Sequence, residues 1–260
     1  MSTNWIEIQK TLSPIKDFEE FCRQWKESFS YPFVREIFNI SLPDLSDYTR
    51  HLLGEDPKKR YDNYATWLLR IIDELHHAGV QDVLELLIGT ETRQKFEQFA
   101  EQKEIPAEEI AGLFKYLFYW FIPRKKRLEE SVRSDQVISD AVKVLHNMGV
   151  RFNLDMLQQG YTAAGRKALV DSSKLPETII MELVNRADLS RMPWASKATI
   201  SNIVGAGYGS IEQLVNADPE KLYQDFFDYG GAIGKNLKLG NEIENSYRIA
   251  RIIPAIVQQR

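Results

Sequence analysis

An all-α fold is what this 260-residue chain predicts, and three observations predict it. No stretch alternates apolar and polar residues with period two over a useful length, so there is no strand pattern. Apolar residues instead recur at three- and four-residue spacing, as in Phe18, Phe21, Trp25 and Phe29. Third, the 54 residues from Arg70 to Pro123 reappear, diverged, 70 positions later as Asp140 to Pro193. Under that gapless offset Leu75-His76 falls on Leu145-His146, Gly79-Val80 on Gly149-Val150, Leu84 on Leu154 and Leu87 on Leu157. Thr92 falls on Thr162, Pro106 on Pro176, Ile110 on Ile180, Leu113 on Leu183 and Pro123 on Pro193. The 11 identities favour Gly and Pro, which set turns, and Leu and Ile, which are buried.

Residues 1–69 read as a helical N-terminal extension. Ser13-Pro14 suits the cap and first turn of a helix from Ile15 to about Phe29, which Tyr31-Pro32 ends. Further helices are expected from Pro32 to Phe38 and from Leu42 to Leu53. After the turn Gly54-Glu55-Asp56-Pro57, one long helix should run from Lys58 to Ala78. Residues 70–123 form the first repeat, 124–139 a basic linker helix, and 140–260 the second repeat with a C-terminal unit. In each repeat a helix ends at Gly79 or Gly149 in the left-handed conformation, and a short helix follows. Thr92 or Thr162 then opens a third helix, and Pro106 or Pro176 a fourth with acidic residues behind it. Ile203 to Leu214 echoes the glycine turn a third time, with Gly207-Tyr208 in the place of Gly149-Val150. Asp218-Pro219 starts a helix to about Phe227, and a last helix is expected from Asn241 to Val257, kinked at Pro254.

Charge and composition narrow the function classes. Residues 1–123 hold 14 Lys+Arg against 21 Asp+Glu, a net −7, and residues 124–260 hold 19 against 16, a net +3. Neither half has the strongly basic balance of a generic phosphate binder, and any polyanion would meet the C-terminal half. Cys22 is the only cysteine, which excludes an intrachain disulfide and a thiolate metal cage. The N-terminal residues show no basic-then-apolar secretory pattern. The most apolar stretch, Ala111 to Ile122, falls short of the roughly 20 residues a bilayer needs. A cytoplasmic protein without membrane contact is the expectation.

The second copy carries a family resemblance. Its residues are Gly149-Val150, Leu154, Leu157, Gly160, then Thr162, Gly165-Arg166 and Leu169. Val184-Asn185-Arg186-Ala187-Asp188-Leu189 with Arg191-Met192 follow, then Ala206-Gly207-Tyr208, Ser210-Ile211, Leu214, Asp218-Pro219 and Leu222. From about Ser139 to Ile256 the chain resembles an uncharacterised family of domains with helix-hairpin-helix-like units, and residues 70–123 look like a diverged second copy. The resemblance implies tandem helix-hairpin-helix-like units. Nucleic-acid-binding hairpins of that kind use a Gly-apolar-Gly turn whose bare amides approach a phosphate. Aligned here, the second hairpin reads Trp194-Ala195-Ser196 and the first Gln136-Val137-Ile138, so both glycine pairs are replaced.

Several groups remain to be weighed. Arg166, Asn185, Asp188 and Arg191 read either as a structural polar clasp, Asp188 paired with an arginine and Asn185 serving a helix end, or as an anion site. Phe114, Tyr119, Trp120 and neighbouring aromatics up to Phe121 are either core of a central helix or, with Trp194, a partner contact. Arg124, Lys125, Lys126 and Arg127, with Lys197, Lys235, Lys238, Arg248 and Arg251, are the candidate nucleic-acid contacts. Solvated charges at a helix start, balanced by Glu129 and Glu130, are the bland alternative for the first four. The glycines at 205–209 and 230–234 lack the strand context or Ser/Thr that phosphate loops require. Asp73 and His77 make only half of a metal site, and His76 and His146 fall together in the repeat. No nucleophile–base set or carboxylate dyad stands out, so neither an enzyme nor a cofactor is expected. The leading expectation is a non-catalytic interaction or scaffold protein with a protein partner or a second copy of itself. The alternative is a nucleic-acid-binding protein that uses these basic residues.

Overall fold

The computed structural model describes residues 3–15, 17–54, 61–132, 136–192, 195–235, 237, 247, 248, 250, 251, 253 and 256–258. Among them lie fifteen α-helices and no strand, apart from two isolated bridges. The fold is all-α. The chain divides into two compact units, Met1–Arg124 and Lys125–Arg260.

The first unit contains α1 (Trp5–Leu12), α2 (Phe18–Phe29), α3 (Pro32–Phe38), α4 (Leu42–Gly54) and α5 (Asp62–His77). After them come α6 (Val83–Gly89), α7 (Arg93–Lys103), α8 (Ala107–Tyr116) and a π-helical turn, Leu117–Phe121. Two details differ from the sequence expectation. Residues 5–12 form a helix of their own, with Ile8 and Leu12 fully buried. The cap of α2 is Asp17, whose carboxylate accepts the Glu20 amide at 2.6 Å, and Ser13 instead closes α1. A carboxylate at that place meets both the bare amide and the helix dipole, so Asp17 outcompetes the hydroxyl.

α1 packs on α8, and α5 on α4 and α8, around an aromatic core. Phe21 stacks on Phe114 at 5.0 Å, and Phe96 lies 5.0 Å from Phe18 and 5.8 Å from Phe114. Each such pair adds about 0.5–1.5 kcal/mol beyond its buried area.

The second unit begins with an extended stretch and a 3₁₀ turn at Leu128–Glu130. It continues with α9 (Gln136–Asn147), α10 (Asn153–Gly160), α11 (Ala163–Ser173), α12 (Glu177–Leu189), α13 (Lys197–Gly205), α14 (Ile211–Val215) and α15 (Pro219–Ala232). α10 packs on α11 and α12, and α13 on α15. Leu189, Ile200, Ile203, Leu214, Leu222 and Phe226 form a core beneath the last three helices. Two expectations are corrected here. Gln136-Val137-Ile138 is not a hairpin turn but the first turn of α9, because Ile138 is buried while Gln136 and Val137 face solvent. Arg124–Lys126 are extended rather than helical. Backbone bonds explain this: the Leu128 amide reaches the Arg151 carbonyl at 3.0 Å, and the Asn153 amide reaches the Lys126 carbonyl at 3.0 Å. Most of the expected helix 241–257, with its kink at Pro254, lies outside the described residues; Tyr247, Arg248 and Ala250 are helical.

The two units share local geometry at the 70-residue offset. α7 and α11 start and end 70 residues apart, and Thr92 and Thr162 each cap them by accepting an amide three residues on. Gly79 and Gly149 have φ of 89° and 90°, and Glu104 and Lys174 have 55° and 61°. The turn after each glycine is braced alike: Glu85 accepts from the Gln81 amide at 2.8 Å, and Asp155 from the Arg151 amide at 2.9 Å. The same construction recurs at Gly207, with φ of 101° and Gln213 accepting from the Gly209 amide at 2.7 Å. A side chain rarely adopts such a φ, which is why glycine stands at all three turns.

Candidate functional site

The polar set on α11 and α12 is built inward. The Asp188 carboxylate and the Arg191 guanidinium pair at 2.6 Å, with side chains 3% and 2% exposed. One turn of helix separates them, so they meet without bending the chain. Burial pushes the Asp188 carboxyl above its usual range, and the neighbouring Arg191 opposes that shift. Arg166 is buried too, yet it does not join the pair. Its guanidinium donates to the carbonyls of Gly160 and Tyr161 at 3.1 and 3.3 Å, closing the C-terminal end of α10. Here the sequence reading is corrected, because the four-residue clasp is two separate devices. Asn185 is half-buried, and its side-chain oxygen has no hydrogen-bond partner, so it does not serve a helix end through that atom. Arg186 was overlooked. It is 0% exposed, its Nε donates to Glu182 at 2.8 Å, and its two terminal nitrogens have no partner. The available signal was the offset: position 186 matches Tyr116, a buried residue whose hydroxyl bonds Thr49 at 2.8 Å.

The basic run is mostly engaged within the fold. Arg124 lies over the rings of Phe118 and Tyr119 at 5.4 and 5.5 Å, and burial lowers its pKa from the ordinary value. Lys125 sits over Phe152 at 4.1 Å. The Lys126 ammonium donates to the carbonyls of Ser190 and Ala195 at 3.0 and 3.1 Å. Arg127 alone of the four is exposed. It lines a depression of about 370 Å³ with Arg151, Phe152, His146 and Glu129. Among the described residues neither Arg127 nor Arg151 makes an ion pair. His146 approaches Glu129 at 3.2 Å.

Lys197, Lys235 and Arg251 are exposed, Arg248 is half-buried, and Arg251 lies 5.7 Å from the Tyr247 ring. Lys238 and Trp194 lie outside the described residues. In the connection between α12 and α13 four described amides are used internally. Ser190 donates to Arg186, Arg191 to Asp188, Met192 to Leu189 and Ala195 to Met192.

The expected aromatic contact is corrected in part. Phe114 is 0% exposed, inside the core of the first unit, because the π turn and α8 are wrapped by α1, α2 and α5 residues. Tyr119 and Trp120 are half-buried. Among the described residues the exposed aromatics are elsewhere: Tyr223 and Phe227, one turn apart on α15, are 59% and 63% exposed. Sequence reasoning missed them. The signal was present, since Leu222/Phe226 and Tyr223/Phe227 are two apolar stripes one residue apart, and a surface helix buries only one.

His77 bonds the carbonyl of Asp73 within its own helix at 2.9 Å, and the described residues contain no group of three metal-ligating side chains. Gly205–Gly209 and Gly230–Gly234 are helix ends, the latter closed by the Lys235 amide on the Gly230 carbonyl at 2.8 Å. Among the described residues no helix is long and apolar enough to cross a membrane.

These features define an all-α module whose polar groups are largely turned to its own turns. Residues 135–230 match the family model described as Domain of unknown function (DUF4332). No curated protein and no solved structure matches the chain.

Proposed function

We propose that this chain is a non-catalytic protein-interaction module of tandem helix-hairpin-helix-like units, in which α15 presents the contact surface. One observation carries the reading: Tyr223 and Phe227 form an apolar face that no described residue covers. Aromatic residues left exposed side by side favour a protein contact, because they offer large area for little conformational entropy. The connection between α12 and α13 supports it indirectly, as four of its amides and Arg191 are already used. The test is a photo-crosslinking residue at position 223, compared with one at Lys167 on α11, which is also exposed. Protein adducts from position 223 alone are expected; equal yield at both positions overturns the reading.

The nucleic-acid reading retains one favouring observation: Arg127 lines one depression with Arg151 and another with the exposed Lys197. It requires binding at about 150 mM salt that falls steeply as salt rises. The interaction reading expects no such binding.

A further inference from the structure

We propose that the occupant of the α15 face is a second copy of this chain, with the two α15 helices packed antiparallel. The proposal rests on the interaction reading above and names the partner. Its starting point is spacing. Glu220, Tyr223, Phe227 and Gly231 are all exposed and follow at steps of three, four and four, so they share one face of α15. A two-fold axis between positions 223 and 227 sets Tyr223 of one copy against Phe227 of the other, in both directions at once. The same axis places Gly231 opposite Pro219. A methyl group built on Gly231 meets nothing within 4 Å, so the backbones can close there.

Charge decides the direction. The start of α15 carries Asp218 and Glu220, the adjacent Lys221 is paired with Asp225 at 2.7 Å, and Lys235 stands exposed just beyond the helix end. Antiparallel packing brings the acidic start of each copy to Lys235 of the other, and it also opposes the two helix dipoles. Parallel packing would set like charges together. A 14-residue helix is only about 21 Å long. Such a pair covers less than the roughly 800 Å² per partner of a stable complex, so the dimer is weak and reversible, with a dissociation constant on the order of 10–100 µM.

Sedimentation of the full chain from about 5 to 500 µM tests this, spanning that range of dissociation constants. The expected result is a shift from monomer to dimer that Phe227→Lys abolishes without changing the melting temperature. Glu220→Lys and Lys235→Glu should each weaken the dimer about fivefold or more, and the two together should restore it. A wild-type chain that stays monomeric throughout overturns the proposal. So does a dimer that Phe227→Lys leaves intact, or one that the double charge reversal fails to rescue. A monomeric chain whose position 223 still crosslinks specifically to another protein removes the dimer but keeps the interaction reading. Monomer with no specific crosslink removes both.

Discussion

Asp188 and Arg191 show at the level of single residues what a buried charge requires. Each is tolerated in the interior because the other is 2.6 Å away. Asp188→Asn removes the carboxylate that pairs with the buried Arg191 cation, and a loss of about 3–5 kcal/mol is expected. Replacing both, as Asp188→Leu with Arg191→Met, should recover most of that loss in denaturant unfolding; failure to recover would mean that the pair does more than neutralise itself. An arginine partner for Asp188 was legible in the sequence, because a carboxylate packed between helices needs a cation beside it. Arg166 was not, since its acceptors are backbone carbonyls, which leave no trace in residue identity.

Glu91 gives a second residue-scale expectation. Hydrogen bonds from Lys26 and then Lys95 hold its carboxyl down at about 2. A group whose folded pKa is depressed stabilises the fold above its unfolded pKa and loses that contribution as pH falls through the folded one. Acid unfolding between about pH 4.5 and 2 should therefore be less steep in Glu91→Gln, measured as the melting temperature against pH.

Among the elements, the helix ends explain most of what the sequence revealed. Gly79 and Gly149 take positive φ as their positions implied, because only glycine enters that region without strain. Two further ends lack that advantage. Glu104 and Lys174 also close α7 and α11 in the left-handed region, each two residues before a proline. Lys174→Gly is expected to raise stability by about 0.5–1 kcal/mol, since it relieves the side-chain clash of that conformation. A thermal melt decides it, and a lowered melting temperature would show the lysine to be held by other contacts. Helix α1 was hidden because it is short and one-sided: Ile8 and Leu12 are buried while Ile6 is 71% exposed, which dilutes the apolar period. The α15 face was hidden for the opposite reason, as two apolar stripes competed and sequence alone does not say which one turns inward.

For the molecule as a whole, the two units apply one set of turns to different interiors. In the first, Tyr116 lies against Thr49 of α4, a neutral hydrogen bond inside an aromatic core. In the second, the matching residue is Arg186, fully buried with two guanidinium nitrogens unmatched. An incompletely satisfied buried cation is costly, whereas a flexible apolar chain of similar length is not. Replacing both partners, as Arg186→Met with Glu182→Leu, should thus be neutral or stabilising by about 1–3 kcal/mol; a clear loss of stability would show that the guanidinium is needed. The all-α class and the glycine turns at 79, 149 and 207 were readable because Gly, Pro and capping residues act locally. The fate of individual cations was not, because burial is settled by distant neighbours.

The π turn carries one consequence beyond packing. At Ile122 the backbone bond spans five residues, back to Leu117, whereas at the matching Met192 it spans three, back to Leu189. One copy widens its spiral where the other winds it tighter, so side chains beyond this point fan out at different angles around their axes. Trp120 and Ser190, or Phe121 and Arg191, share a column of the internal alignment but not a heading. Mutational lessons therefore carry from one copy to the other as far as position 116, and past it they lose their spatial meaning.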